Sequence, residues 1–113
     1  MTARTCTVIL LIVICSSAAS ALEPGEILII TNKDIGESGR IARYYCQKRG
    51  VPAENILALS LGAKLSDTIN RKDYDKQLAH PIRRTFFNDK LLGKIKCLLT
   101  IYGVPTKVSR HKS

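Results

Sequence analysis

The residue types in this chain that could carry out chemistry are few, and their spacing joins none of them into a catalytic group. A nucleophile needs a base beside it, yet neither His80 nor His111 follows a predicted strand. Asp73 and Asp75 lie two residues apart and therefore on different faces of a predicted helix. Cys97 falls inside an apolar run, which indicates a packed thiol rather than a nucleophile. The sequence therefore identifies no catalytic residue and leaves open whether the protein is an enzyme.

Polar residues directly after the predicted strands are the candidates for ligand binding. Ligands of open parallel sheets bind beyond the carboxyl ends of the strands, and this rule selects Asn32, Tyr102 and Gly103. Ser38, near the start of the first predicted helix, is a fourth candidate because the free N–H groups of a helix N-terminus bind anions. The alternative, which we favour, is that Asn32 is a turn residue and Ser38 caps the helix.

Motifs for cofactors and metals do not occur in the sequence. There is no GxGxxG and no GxxxxGKS/T, so a cradle for nucleotide phosphates is not indicated. There is also no CxxC pair and no Cys/His cluster with zinc spacing. We expect neither a cofactor nor a metal ion.

The amino terminus has the pattern of an export signal. Arg4 is the only charge before Glu23, residues 8–14 are apolar, and small residues at 19–21 suit signal peptidase. We predict a signal peptide over residues 1–21, cleaved near Ala21, which places the protein in the periplasm or outside the cell and on the membrane only transiently. An uncleaved anchor is the alternative, but a membrane span needs about 20 apolar residues.

Two cysteines remain after the predicted cleavage, Cys46 and Cys97. An oxidising compartment permits a disulfide between them. Both have apolar neighbours, so two buried free thiols are an equal alternative, and only geometry decides between the two.

Three apolar runs predict strands, and two amphipathic segments between them predict helices. The strands are residues 27–31, 55–60 and 95–102, and the helices are residues 39–49 and 70–86, the second interrupted by Pro81. The first run is aliphatic without alternation, as in strands covered on both faces. We predict an α/β fold of order βαβαβ with a mostly parallel three-stranded sheet, a partial three-layer sandwich that follows a signal peptide helix.

The predicted domain spans residues 22–106, and the basic tail, residues 107–113, is expected to fray. Three strands and two helices make only part of an open α/β sheet, which leaves an edge through which copies of the chain can associate. The chain carries 18 Lys and Arg against 9 Asp and Glu, a net charge of +9. These cations are spread along the sequence without interleaved aromatics, which favours a solvated basic surface over a nucleic-acid site.

A set of short motifs spans nearly the whole chain after the signal. They are Ile29-Ile30-Thr31-Asn32, Ser38, Ala42-Arg43-Tyr44-Tyr45, Lys48-Arg49-Gly50-Val51-Pro52, Asn55, Ile69, Arg71, Tyr74, Pro81 and Leu98-Leu99-Thr100-Ile101-Tyr102-Gly103-Val104-Pro105. With these motifs the chain resembles the amino-terminal part of an uncharacterised family of exported bacterial proteins with longer members. The resemblance implies an exported α/β domain, and it implies no activity because the family has none assigned.

Three functional hypotheses follow. The first is an exported, incomplete α/β domain of that family without an activity of its own. The second is a portion of an envelope hydrolase: caspase-like and gingipain-like peptidases share the predicted architecture and, by analogy of fold alone, would place a histidine where this chain has Tyr102-Gly103-Val104. The third is a small module that binds an anionic ligand through its basic surface.

Overall fold

The computed structural model describes residues 21–110. Its main elements, in chain order, are β1 (Ile27–Asn32), α1 (Gly36–Arg49), β2 (Ile56–Leu59), β3 (Thr68–Asn70), α2 (residues 71–86), β4 (Cys97–Thr100) and β5 (Lys107–Ser109). Single 3-10 turns, Pro24–Glu26 and Ala53–Asn55, precede β1 and β2. Among the described residues, no helix is long and apolar enough to cross a membrane.

The sheet that organises the fold has three parallel strands in the order β2-β1-β4. All six residues of the central strand β1 are buried. Its aliphatic side chains need apolar cover on both faces of the sheet, and the helices provide it. The predicted α/β class and the parallel three-stranded sheet are therefore confirmed.

Two apolar clusters, one on each face of the sheet, form the core. The first joins Ile27 and Ile29 of β1 to Ala42 and Cys46 of α1, together with Val51. The second joins Ile30 of β1 to Leu78 of α2, Leu59 and Val104. Alternate residues of a strand point to opposite faces, so β1 contributes to both clusters. Helix α1, the three-stranded sheet and helix α2 therefore form three layers.

Helix α1 begins earlier than the sequence predicts. It starts at Gly36 rather than Gly39, and the residue before it, Ile35, makes no capping hydrogen bond through its side chain. Ser38 therefore lies inside the first turn, and its predicted role as the N-cap is wrong. The end of the helix is as expected, because Gly50 adopts the left-handed conformation, with φ of 70°, that favours glycine.

Helix α2 is continuous through Pro81 but changes its winding. A first turn, Arg71–Asp73, leads into a π-helical segment, Tyr74–Ala79, and then into α-helical residues His80–Phe86. Pro81 has no N–H, and its ring would clash with the carbonyl four residues back in a regular α-helix. A wider π turn moves that carbonyl away. Asn70 caps the start of the helix, because its Oδ1 accepts a hydrogen bond from the Asp73 N–H at 2.8 Å.

A second, two-stranded sheet corrects the prediction for the tail. Strand β5 pairs in parallel with β3, with Ile69 opposite Val108, where the sequence predicts no strand between residues 60 and 95 and a frayed tail from residue 107. The carbonyl oxygen of Asp67 accepts hydrogen bonds from the N–H groups of Thr106 and Lys107, both at 2.9 Å. These bonds set the register of the short strands.

Both cysteines of the described part are free thiols. Cys46 is buried in the first cluster, and Cys97 packs against the same cluster from β4. Burial raises the pKa of the Cys46 thiol, so little thiolate forms at neutral pH. The sequence allowed either a disulfide between Cys46 and Cys97 or two free thiols, and the structure has the free thiols. The disulfide stays a prediction for an oxidised form of the protein. The predicted signal peptide falls outside the described residues, except for Ala21.

Candidate functional site

The carboxyl ends of the three parallel strands lie side by side, and the loops that leave them form the candidate site. Strand β1 lies at the centre, with β2 on one side and β4 on the other. The first crossover leads from β1 to β2 on one side, and the next leads from β2 to β4 on the other side of β1. Open α/β sheets form a crevice where the strand order reverses in this way. The candidate site consists of the loops after Asn32, Leu59 and Thr100.

Asn32, the last residue of β1, ties these loops together. Its Nδ2 donates to the carbonyl oxygens of Gly62 at 2.8 Å and Gly103 at 3.1 Å. Its Oδ1 accepts from the N–H of Asp34 at 3.1 Å and that of Leu61 at 3.3 Å. Asn32 is only 1% exposed. Both N–H donors and the oxygen of its carboxamide already form hydrogen bonds within the protein. Asn32 therefore positions the site and does not contact a ligand through its carboxamide.

Ser38 contacts the backbone of Asn32 through a hydrogen bond. The Ser38 side chain is fully buried, and its Oγ accepts a hydrogen bond from the backbone N–H of Asn32 at 2.9 Å. The hydroxyl thus satisfies a β1 donor at the end of the strand instead of a helix N–H group. Burial and this bond remove Ser38 from the surface that an anion would contact.

Gly103 completes the centre of the site because its loop passes close to two side chains. Its φ is 92°, which favours glycine. A Cβ at this position would lie 3.1 Å from Cδ1 of Ile35 and 3.5 Å from Cβ of Asn32. The absence of a side chain lets the loop after β4 approach the loop after β1.

An exposed carboxylate next to Asn32 holds the loop after β2. Oδ2 of Asp34 accepts a hydrogen bond from Oγ of Ser60 at 2.6 Å and from the N–H of Gly62 at 2.9 Å. The Ser60 hydroxyl, then the Gly62 N–H, lower the pKa of the Asp34 carboxyl. A carboxylate with a lowered pKa is a weak base, so this pair binds one loop to another and is a poor candidate for proton transfer.

Tyr102 lies apart from this hydrogen-bonded centre and faces an open cleft of about 410 Å³. The tyrosine is 51% exposed. The cleft also includes Leu65, Asp67 and Thr106. A hydrogen bond from the Thr68 hydroxyl, followed by the charge of Lys107, lowers the pKa of the Asp67 carboxyl. An exposed aromatic ring beside a carboxylate and hydroxyl groups offers a surface for a ligand.

The sequence candidates thus separate into two groups. Asn32, Ser38 and Gly103 meet in one hydrogen-bonded unit, and Tyr102 lines the neighbouring cleft, which Gly103 also borders. The sequence analysis did not identify the hydrogen bond between Asp34 and Ser60. Both residues lie at the carboxyl ends of predicted strands, and that position is the signal that could have indicated it.

The remaining chemical side chains do not add a catalytic group. His80 is exposed on α2, and His111 lies outside the described residues. Within residues 21–110, no group of three His, Cys, Asp or Glu side chains is placed to hold a metal ion. The described part of the site can therefore position loops and present a binding surface.

Comparisons of the chain with protein-family models, with curated proteins and with solved structures found no match.

Proposed function

We propose that this chain is the amino-terminal part of a larger exported α/β domain and that its role is to supply one wall of a ligand crevice. In this proposal Asn32, Ser38 and Gly103 hold the crevice loops in place, and Tyr102 contacts the ligand. Any catalytic group belongs to the part of the domain beyond β4. The resemblance to a family of longer exported proteins agrees with this division.

The observation that carries the proposal is the uncovered apolar surface beside β4. Leu98 of β4 is 48% exposed, and Phe87, just after α2, is 68% exposed. Between them runs a groove of about 430 Å³ lined by Tyr74, Ala79, Ile82, Arg83, Phe86, Phe87 and Leu98. Strands of parallel sheets are normally covered on both faces. Residues 21–110 do not cover this face of β4.

The backbone of β4 supports the same conclusion. Within the described part of the chain, β4 pairs with β1 on one side, and its outer side has no neighbouring strand. An apolar edge strand without bulge or proline is a template for another strand. A further strand beside β4, with a helix over Leu98 and Phe87, would satisfy the free N–H and carbonyl groups and cover the groove.

The test is the stability of residues 22–113 in isolation. If the domain is incomplete, we expect the isolated monomer to have a low free energy of unfolding and to bind a hydrophobic dye. A highly stable monomer that binds no dye would contradict the proposal. A stable dimer in which Leu98 is buried would assign the surface to self-association instead.

The second candidate function is that the chain forms a portion of an envelope hydrolase. The arrangement of its sheet and helices supports this candidate. A parallel sheet with a helix layer on each face is the architecture of caspase-like and gingipain-like peptidases, which is an analogy of fold alone. Genomic DNA beyond the codon for Ser113 tests it. A continuation with His and Cys or Ser after strand-like runs supports the hydrolase, and a continuation without these residues rejects it.

A further inference from the structure

The two crossovers that build the sheet have the same hand. The first leads from β1 to β2, and its helix α1 packs on one face of the sheet. The second leads from β2 past β1 to β4, and its helix α2 packs on the other face. Reversing both the direction and the face leaves the hand unchanged, and crossovers between parallel strands are almost always right-handed. The same rule governs a connection that leaves β4.

This rule places the next helix on the face that carries α2. A further parallel strand on the free side of β4 continues in the direction of the second crossover, so its connecting helix keeps the hand only on that face. Leu98 of β4 pairs in register with Leu28. Leu28 points to the same face as Ile30, which packs in the cluster of α2. Leu98 therefore lies on this face too, and it is 48% exposed there.

The small β3–β5 sheet directs the chain to the start of α2. Ser109, the last residue of β5, pairs in register with Asn70. Asn70 is also the residue that caps α2, through its hydrogen bond with the Asp73 N–H. Because the two strands are parallel and about 5 Å apart, the chain leaves β5 beside the first turn of α2 and in the direction in which β3 leads into that helix.

We propose that an amphipathic helix of the same polypeptide follows β5, runs parallel to α2 and docks in the groove between α2 and Leu98. The inference rests on the proposed function, because it names which part of the larger domain covers the groove and where that part lies in the chain. The groove extends along α2 from Tyr74 to Phe86. This distance is roughly 18 Å, so about three turns of helix fill it.

The lining of the groove determines the character of the helix. Ile82, Phe86, Phe87 and Leu98 present apolar surface, so the docked helix has an aliphatic stripe at helical spacing. Arg83 is the one charged residue of the lining, and it is exposed and forms no salt bridge within residues 21–110. A carboxylate beside the stripe pairs with its guanidinium group.

A second copy of the chain is a weaker candidate for the same groove. It would bury Leu98 and Phe87 equally well, but it gives no role to the pairing of Ser109 with Asn70. A helix that follows β5 explains both the uncovered groove and the direction in which the chain leaves the small sheet.

The test extends the full chain after Ser113 with a designed helix of about 14 residues whose leucines form a single stripe. The control extension has the same composition, with its leucines spread around the helix. Burial of the stripe against Leu98 and Phe87 stabilises the folded chain, so we expect an equilibrium constant for unfolding about tenfold smaller than in the control, measured by urea denaturation. Leu98→Lys should remove this difference.

The position of one glutamate in the striped extension tests the direction of the helix. A helix parallel to α2 brings its last turn beside Arg83, so a glutamate in that turn should lower the equilibrium constant for unfolding about twofold more than a glutamate in the first turn. Arg83→Gln should abolish the difference. Equal effects of the two glutamates, or a larger effect of the one in the first turn, would overturn the proposal.

The two extensions also separate this inference from the proposed function. Dye binding by the unextended chain tests the proposed function, and a chain that binds no dye contradicts it. A chain that binds dye but is stabilised equally by the striped and the control extensions, or keeps the difference between them in the Leu98→Lys variant, overturns this inference alone.

Discussion

Nδ2 of Asn32 donates a hydrogen bond to the carbonyl oxygen of Gly103 at 3.1 Å, across 71 residues of sequence. The same nitrogen bonds the loop after β2 through Gly62. One buried carboxamide therefore fixes the relative positions of the loops that leave all three strands of the sheet. We therefore expect the stability of the candidate site to depend on this side chain more than on any exposed residue around it.

Replacing Asn32→Asp tests this dependence. The substitution keeps the shape of the side chain but puts a carboxylate oxygen where Nδ2 faces two carbonyl oxygens, so we expect a loss of about 3–5 kcal/mol in the free energy of unfolding. Urea denaturation at neutral pH measures it. Asn88→Asp is the matched control, since Asn88 is exposed and only its Oδ1 forms a hydrogen bond. Similar losses in the two variants would show that Asn32 is not the centre of the site.

The parts of the fold that could be predicted are those in which burial selects the residue type. Strand β1 was predicted to within one residue because its short run of aliphatic, β-branched residues is typical of a strand covered on both faces. The role of Ser38 could not be predicted, because a serine that caps a helix and one that accepts from a strand N–H have the same sequence pattern. That difference depends on how close β1 and α1 approach each other.

The small β3–β5 sheet shows a second limit. Each strand has three residues and one aliphatic side chain, Ile69 or Val108. So short a segment has no measurable alternation. Its pairing depends on Asp67, whose carbonyl oxygen is placed by the tertiary fold. Likewise, the sequence located Pro81 but did not indicate that a π-helical segment would accommodate it.

The bond between Ser60 and Asp34 predicts a pH dependence. The pKa of Asp34 is lowered in the folded protein, so its stabilising effect is present above the ordinary aspartate pKa of 3.8 and is lost as the pH falls through the lowered value. Ser60→Ala removes the largest cause, and we expect the pKa of Asp34 to rise towards 3.8. An NMR titration of the Asp34 carboxyl carbon measures the change. Thr68→Ala leaves Ser60 in place, so an equal rise in that variant would argue against the bond.

Gly103→Ala tests the close approach of the two crevice loops. The positive φ and the contact of the new Cβ with Cδ1 of Ile35 both oppose the substitution, and we expect a loss of about 1–3 kcal/mol in the free energy of unfolding. Adding Ile35→Val removes Cδ1, so the double variant should lose less than the sum of the single variants. Gly25→Ala, where a Cβ has no neighbour within 4 Å, is the control. Strict additivity at positions 35 and 103 would contradict the contact.

Leu98 and its neighbour across the sheet, Leu28, differ in how far they are exposed to solvent. The residue is 48% exposed on β4, whereas Leu28, which pairs with it in register on β1, is 1% exposed. We expect Leu98→Lys to change the free energy of unfolding of the isolated chain by no more than about 0.5 kcal/mol. Its apolar surface decreases, so dye binding and association should also decrease. Leu28→Lys is the matched comparison and should abolish folding, because it places an unpaired ammonium group at a position that is 1% exposed. A large loss of stability in the Leu98 variant, measured by urea denaturation of the monomer, would mean that this strand already has the cover that we assign to a further part of the domain.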